Sequence, residues 1–109
     1  MFNFNNNQNY PIYNNQNRRM TAPDSANDFE TLQNARRDLV GELDAIIQYD
    51  DHLHRTDNEL ARTTWENIRN EELTHVGELL GLINYLAPYQ KPFIEQGLKE
   101  FNDRLQNKS

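Results

Sequence analysis

Two segments of this chain place apolar residues at alternating intervals of three and four, and this spacing is the strongest constraint on the fold. The first runs from about residue 27 to residue 54, and the second from about residue 59 to residue 86. Neither contains proline, and each is long enough for a helix of roughly 40 Å at 1.5 Å per residue. The pattern predicts an all-α fold built on a long antiparallel helical hairpin.

A short polar stretch, HRTDNEL, separates the two segments and is predicted to form the turn of the hairpin. Thr56, followed three residues later by Glu59, has the pattern of a capping box, and Asp57 and Asn58 are alternative caps. A third, shorter helix is predicted to begin at Pro92, because proline suits the first turn of a helix. Its apolar side would be formed by Phe93, Ile94, Leu98, Phe101 and Leu105.

The beginning of the chain differs in composition from the rest. Its first twenty residues contain eight Asn and two Gln and show no periodic apolar face. We predict that residues 1–22 form a disordered Asn-rich tail, because such a tract cannot offset its ordering entropy by burial. Residues 23–109 are predicted to form one helical domain.

Charge and composition exclude several classes of function. The formal net charge of −6 argues against nucleic acid and against an anionic membrane surface as partners. The absence of cysteine excludes disulfides, thiolate zinc sites and thiol nucleophiles. No apolar run approaches the ~20 residues of a membrane-spanning helix, and the first residues lack the pattern of a secretory signal. A cytoplasmic location is therefore expected.

Three polar residues occupy positions of the helical seams where apolar residues are expected. Glu42 lies in the first seam, and Glu72 and His75 lie in the second. If the hairpin folds about residue 57, Glu42 lies level with Glu72 and Leu39 lies level with His75. The three polar side chains would then meet at one depth of the hairpin.

Two buried carboxylates beside one imidazole require compensation of their charge. An internal ion pair with protonated His75 is one solution, but a divalent cation such as iron, manganese or zinc balances the charge better. One hairpin supplies only three ligands and cannot bury both sides of a core. A second copy, packed about a two-fold axis, would remedy both deficits and form a four-helix bundle. Its two Glu and two Glu-x-x-His pairs would be the ligand set of ferritin-like di-iron carboxylate proteins.

Three stretches of the sequence, ELDAIIQYDD (residues 42–51), TDNEL and NIRNEELTHVGELL, resemble motifs of the encapsulated ferritins, or half-ferritins. The resemblance covers residues 39–86. It implies a homodimer assembled into a larger ring such as a decamer, with two irons at each dimer interface and ferroxidase activity. Glu42, Glu72 and His75 match the iron ligands of the family, and would be both the metal-binding and the catalytic residues. Tyr49 matches an aromatic residue near the metal, and Trp65, level with it across the hairpin, is predicted to pack against it.

The sequence also departs from the family. Gln48 stands where tryptophan precedes the tyrosine, and Gly41 stands where an acidic residue precedes the first ligand. Asp44 keeps its acidic character, and Asp44 with Glu71 is a candidate route for metal ions into the site. The chain ends in FNDRLQNKS, without the Gly-Leu-rich peptide that docks family members inside an encapsulin shell. Either the chain acts outside a shell, or the Asn-rich tail directs it into such a nanocompartment.

Three functions are consistent with these residues. The leading hypothesis is a ferroxidase that oxidises Fe²⁺ with O₂ in iron storage or detoxification. The second keeps a di-metal site of iron or manganese but consumes peroxide. The third is a structural coat or assembly protein in which a metal ion only clamps the dimer.

Overall fold

The computed structural model describes residues 26–108, which form three α-helices and one short 3₁₀ turn. Helix α1 spans Ala26–Arg55, α2 spans Glu59–Leu86, and α3 spans Lys91–Asn107, with the 3₁₀ turn Pro88–Gln90 between α2 and α3. No strand occurs in this range, so the predicted all-α class is confirmed. Within the same range, no helix combines the length and the apolar character needed to cross a membrane. The prediction for residues 1–22 lies outside the described residues.

The connection between α1 and α2 is short and polar, and its side chains accept hydrogen bonds from backbone N–H groups at and before the start of α2. Asn58, not Thr56, is the cap: its side-chain oxygen accepts a hydrogen bond from the backbone N–H of Ala61 at 2.9 Å. The Thr56 hydroxyl accepts one from the backbone N–H of Asn58 at 3.1 Å. The Arg62 guanidinium donates to the carbonyl of Thr56 at 2.6 Å. These contacts hold a three-residue connection that returns the chain antiparallel to α1.

The buried core lies at the end of the hairpin away from this turn. It consists of five residues from α1, α2 and the start of the following turn: Leu32, Ala35, Ile83, Leu86 and Ala87. Leu39, Tyr85 and Tyr89 pack against it and are partly buried. The heptad spacing explains this contact, because residues three and four apart share one face of each helix.

Most of the predicted seam is only partly buried in a single chain. Ile46, Leu53, Trp65, Ile68 and Leu79 are all of intermediate exposure. The hairpin supplies two of the helices that a four-helix bundle needs, and the dimeric bundle stays a prediction.

Helix α3 begins at Lys91, one residue before the predicted start, and leaves the hairpin after the 3₁₀ turn. The Arg36 guanidinium of α1 fixes this junction. It donates to the Tyr89 hydroxyl at 3.2 Å, to the side-chain oxygen of Gln90 at 2.9 Å and to that of Gln33 at 2.8 Å. No residue of α3 is buried.

The small core makes a specific prediction about stability. Leu32 is fully buried, so replacing it with Ala leaves a cavity and should lower the free energy of unfolding by about 2–5 kcal/mol. Leu60 is 78% exposed, so Leu60→Ala should change it by less than about 0.5 kcal/mol. Urea denaturation of both variants, followed by circular dichroism, measures the difference. Equal destabilisation by the two changes would contradict this assignment of the core.

Candidate metal centre

The three polar seam residues come together midway along the hairpin. His75 Nδ1 lies 2.9 Å from Glu72 Oε1, three residues earlier on α2, and 3.5 Å from Glu42 Oε2 on α1. One ligand atom from each residue lies within 4.8 Å of the other two. The predicted convergence of these side chains is therefore present in the structure. It follows from two facts of the sequence: the Glu-x-x-His spacing, and a turn that sets Glu42 opposite that pair.

One carboxylate oxygen of the cluster is buried without a hydrogen bond. Glu42 Oε2 is buried from solvent and accepts no hydrogen bond from any described residue. A buried carboxylate oxygen without a partner loses its hydration without a compensating interaction. Carboxylate and imidazole groups are ligands that iron, manganese and zinc accept. The donor set and the unpaired oxygen therefore fit a divalent cation.

The two carboxylates and the imidazole shift one another's proton affinities. A hydrogen bond with Glu72 raises the pKa of Glu42 above its usual 4.5, and burial and the negative charge of Glu72 raise it further, while His75 opposes the shift. A hydrogen bond to Glu72 raises the pKa of His75 above its usual 6.5, although desolvation partly opposes this. The metal-free cluster thus binds protons more readily than separate side chains would, and a cation would compete with those protons.

The cluster opens into a groove of about 530 Å³ on one side of the hairpin. His75 is the most exposed of the three ligand candidates, with 48% of its side chain accessible, against 24% for Glu42 and 19% for Glu72. The site is therefore open on the side that does not face its own hairpin. The groove is lined by charged and apolar residues of both helices: Arg37, Asp38, Gly41, Glu42, His75, Glu78, Leu79 and Leu82.

Tyr49 and Trp65 each lie close to a third ring, that of His52. The His52 ring centroid is 4.6 Å from that of Trp65 and 6.2 Å from that of Tyr49, the latter pair in an edge-on arrangement. The level match between Tyr49 and Trp65 did not account for an imidazole on the adjacent turn of α1. His52 therefore has a packing role, and whether Tyr49 and Trp65 support the metal ligands stays a prediction.

The two acidic residues predicted to guide metal ions inward, Asp44 and Glu71, are exposed and lie outside the three-residue cluster. Neither lines the groove. Asp38 and Glu78 line it instead, and the sequence analysis did not single them out. Their helical spacing could have indicated this, because Asp38 precedes Glu42 by four residues and Glu78 follows His75 by three, which places each pair on one helical face.

The fold and the cluster together define an all-helical hairpin protein with a carboxylate–imidazole cluster between its two long helices. No protein-family model and no solved structure matches the chain. The chain is 30% identical over 80 residues to the "Encapsulin nanocompartment cargo protein EncC" of Myxococcus xanthus (strain DK1622). The aligned region covers 73% of this chain and 62% of the length of that protein. This similarity relates the chain to a cargo protein of an encapsulin nanocompartment.

The raised pKa of His75 can be measured directly in the metal-free protein. An NMR titration should place the pKa of His75 above 6.5, and Glu72→Gln should lower it, because the variant removes the charged acceptor. A raised pKa in the folded state stabilises the fold below the unfolded-state pKa. That contribution is lost as pH rises through the folded-state pKa of His75. As a control, Glu66→Gln changes an exposed glutamate of α2 outside the cluster and should leave the His75 pKa unchanged.

Proposed function

We propose that this chain is a ferroxidase that binds Fe²⁺ at Glu42, Glu72 and His75, oxidises it with O₂ in iron storage or detoxification, and acts as the cargo of an encapsulin shell. The catalytic site is completed by a second copy of the chain, which contributes the same three residues. The observation that carries the proposal is the convergence of one α1 carboxylate with a Glu-x-x-His pair of α2, with ligand atoms within 4.8 Å of one another.

Charge supports a cation at this position. With His75 neutral, two ionised carboxylates give the cluster a charge of −2. Among the described residues, Glu42 Oε2 accepts no hydrogen bond and lies 3.5 Å from the imidazole. Protons are the alternative source of compensation, and the raised pKa values of Glu42 and His75 favour their protonation in the metal-free state. A divalent cation would replace those protons and supply the buried oxygen with a partner.

The exposure of the cluster supports completion by a second copy. Three ligand residues do not fill the coordination of iron, and the half-exposed His75 lies on the open side of the site. A two-fold related hairpin would bring a second Glu and a second Glu-x-x-His pair to that side. The combined set would hold two iron ions, as in di-iron carboxylate proteins. Leu79 and Leu82, which line the groove, would pack at the same contact and exclude water.

The ligand set would favour the oxidised product. Fe²⁺ is the substrate: each of two ions gives up one electron, and O₂ with two protons is reduced to H₂O₂. Carboxylates interact more strongly with a triply than with a doubly charged ion, so Glu42 and Glu72 stabilise Fe³⁺ relative to Fe²⁺. His75 supplies a neutral nitrogen ligand and limits the negative charge of the site. The protons it releases on binding iron are available to the reduced oxygen product.

Removing a ligand tests the proposed chemistry. Glu72→Ala and His75→Ala should each lower the aerobic oxidation rate of Fe²⁺ by at least about 100-fold. Losing a residue that only orients a metal ligand already lowers activity by up to about 100-fold, and losing a ligand itself should cost more. Absorbance of Fe³⁺ in a stopped-flow instrument gives the rate. Glu66→Ala and His54→Ala, which change the same residue types at exposed positions, should retain it. Wild-type rates in both ligand variants would refute the proposal.

The same assay separates the other functions. Faster turnover with H₂O₂ than with O₂, using iron or manganese, would indicate a peroxide-consuming protein. Metal-dependent dimerisation without turnover would indicate a structural clamp.

The similarity to an encapsulin cargo protein supports the cargo role, and co-expression tests it. The chain, produced together with an encapsulin shell protein of the same source, should co-purify inside intact shells and be protected from added protease. We propose that the Asn-rich stretch, residues 1–22, directs the chain into the shell, so its deletion should abolish loading. Ferroxidase activity of the purified deletion variant should be unchanged. Loading that persists without residues 1–22 would contradict their role in targeting.

A further inference from the structure

Glu78 extends the spacing of the two α2 ligand candidates by one further step along the helix. Glu72, His75 and Glu78 follow one another at intervals of three residues. Each interval amounts to a net turn of about 60° and a rise of roughly 4.5 Å, so the three side chains lie on one side of α2. Glu72 and His75 belong to the carboxylate–imidazole cluster, whereas Glu78 lies outside it and lines the adjoining groove.

The two ring nitrogens of His75 have different surroundings. Nδ1 faces the carboxylates, at 2.9 Å from Glu72 Oε1 and 3.5 Å from Glu42 Oε2. Among the described residues, the hydrogen bond of the ring runs through Nδ1 to Glu72. A cation held by the two carboxylates would therefore meet Nδ1, and the proton of the neutral ring would then be carried by Nε2.

The Nε2–H group would need an acceptor once the site is complete. The side chain of His75 is 48% accessible, and its Nε2 edge lies toward the groove because its Nδ1 edge faces the carboxylates. A second copy of the chain would cover this side, and a covered N–H group without an acceptor is costly. Histidines that bind metals almost always donate their second N–H to a carboxylate, a carbonyl or water, which fixes the tautomer and the ring orientation.

Two carboxylates of the groove outside the cluster, Glu78 and Asp38, are candidates for this acceptor. Side chains of a helix lean toward its N-terminus, so Glu78 leans toward His75 as His75 leans toward Glu72. Asp38 lies on the other helix, and its side chain is shorter by one methylene group. Glu78 is exposed, and it forms no ion pair or hydrogen bond with another described residue that would hold it elsewhere. The geometry therefore favours Glu78.

We infer that Glu78 accepts a hydrogen bond from the Nε2–H of His75 and thereby positions this ligand in the metal-bound protein. The inference rests on the metal site of the proposed function and adds to it a positioning residue that touches neither iron nor O₂. Glu78 would hold the ring in the tautomer whose Nδ1 is free for a cation, and its negative charge would make Nδ1 a stronger donor. Loss of such an outer carboxylate typically lowers metal affinity by about 10–100-fold.

Zinc binding tests the role of Glu78 without redox chemistry. The full-length wild type and its variants are titrated with Zn²⁺ in competition with a chelator. Glu78→Ala should weaken Zn²⁺ binding by about 10–100-fold, and Glu78→Gln should weaken it less, because the amide oxygen still accepts a hydrogen bond. Glu66→Ala, at an exposed glutamate of α2 outside the groove, should leave the affinity unchanged. An unchanged affinity in Glu78→Ala, or a loss in Asp38→Ala alone, would overturn the inference.

The protonated nitrogen of His75 provides a second readout, which a merely structural role of Glu78 would not change. In NMR spectra of the zinc-bound protein with labelled histidine nitrogens, His75 should carry its proton on Nε2. Glu78→Ala should make that proton exchange with water at least about tenfold faster, because its acceptor is lost. Zinc bound through Nε2, equal exchange in both proteins, or a wild type that binds no Zn²⁺ at His75 would overturn the inference.

Aerobic oxidation of Fe²⁺, followed in parallel, separates this inference from the proposed function. A wild type that binds zinc as expected, with the expected losses in Glu78→Ala, but does not oxidise Fe²⁺ would refute the ferroxidase and support the hydrogen bond. An active wild type whose zinc affinity and Nε2–H exchange are unchanged by Glu78→Ala would support the ferroxidase and refute the hydrogen bond.

Discussion

The register between α1 and α2 is the constraint on which the other features depend. Three residues connect the helices, and the Asn58 cap fixes the start of α2. An ion pair between Asp50 and Arg69, at 2.6 Å, joins the helices midway between the turn and the cluster. Because each helical residue turns by about 100°, a shift of one residue in either helix would move a ligand away from the site. The cluster exists because the turn permits only one pairing of Glu42 with Glu72 and His75.

A single hairpin buries little apolar surface, and much of its apolar surface is therefore left exposed. Among the described residues, five form its core, all at the end remote from the turn. Toward the turn, the seam holds Glu42, Glu72 and His75 in place of leucines, so the helices there gain less from apolar burial. Much of the exposed apolar surface of the described residues lies in two places, beside the groove and along α1 and α3. Both are available for contacts between molecules, and both lie at defined angles to the ligands.

Much of this arrangement could be predicted from the sequence, and the exceptions have a common cause. The bounds of α2 follow from its heptad spacing, its cap and the proline that follows it. The convergence of Glu42, Glu72 and His75 follows from the length of the turn. The contacts of the His52 ring with Tyr49 and Trp65, and the three hydrogen bonds of Arg36, were not predictable in the same way. They depend on rotamers and on contacts between residues far apart in the chain, which periodicity does not encode.

The capping residue illustrates the same limit on a smaller scale. Thr56, Asp57 and Asn58 all have side chains suited to an N-cap, and composition alone does not choose among them. The backbone must reverse direction within three residues, and only Asn58 is then placed to accept from Ala61 while Thr56 accepts from Asn58. Side-chain preference identifies three possible caps, and the geometry of the hairpin determines that Asn58 is the one used.

The contacts of Arg36 that fix the start of α3 do not depend on pH in the way that the carboxylate–imidazole cluster does. Its guanidinium stays charged at every accessible pH and donates only to uncharged oxygens of Gln33, Tyr89 and Gln90. The carboxylate–imidazole cluster, in contrast, is built from groups whose charge changes with acidity. Acidification would favour protonation of Glu42 and His75, whose pKa values are raised, and leave the direction of α3 unchanged. The direction of α3 and the charge of the cluster therefore respond to different variables, so a change of pH can alter one without the other.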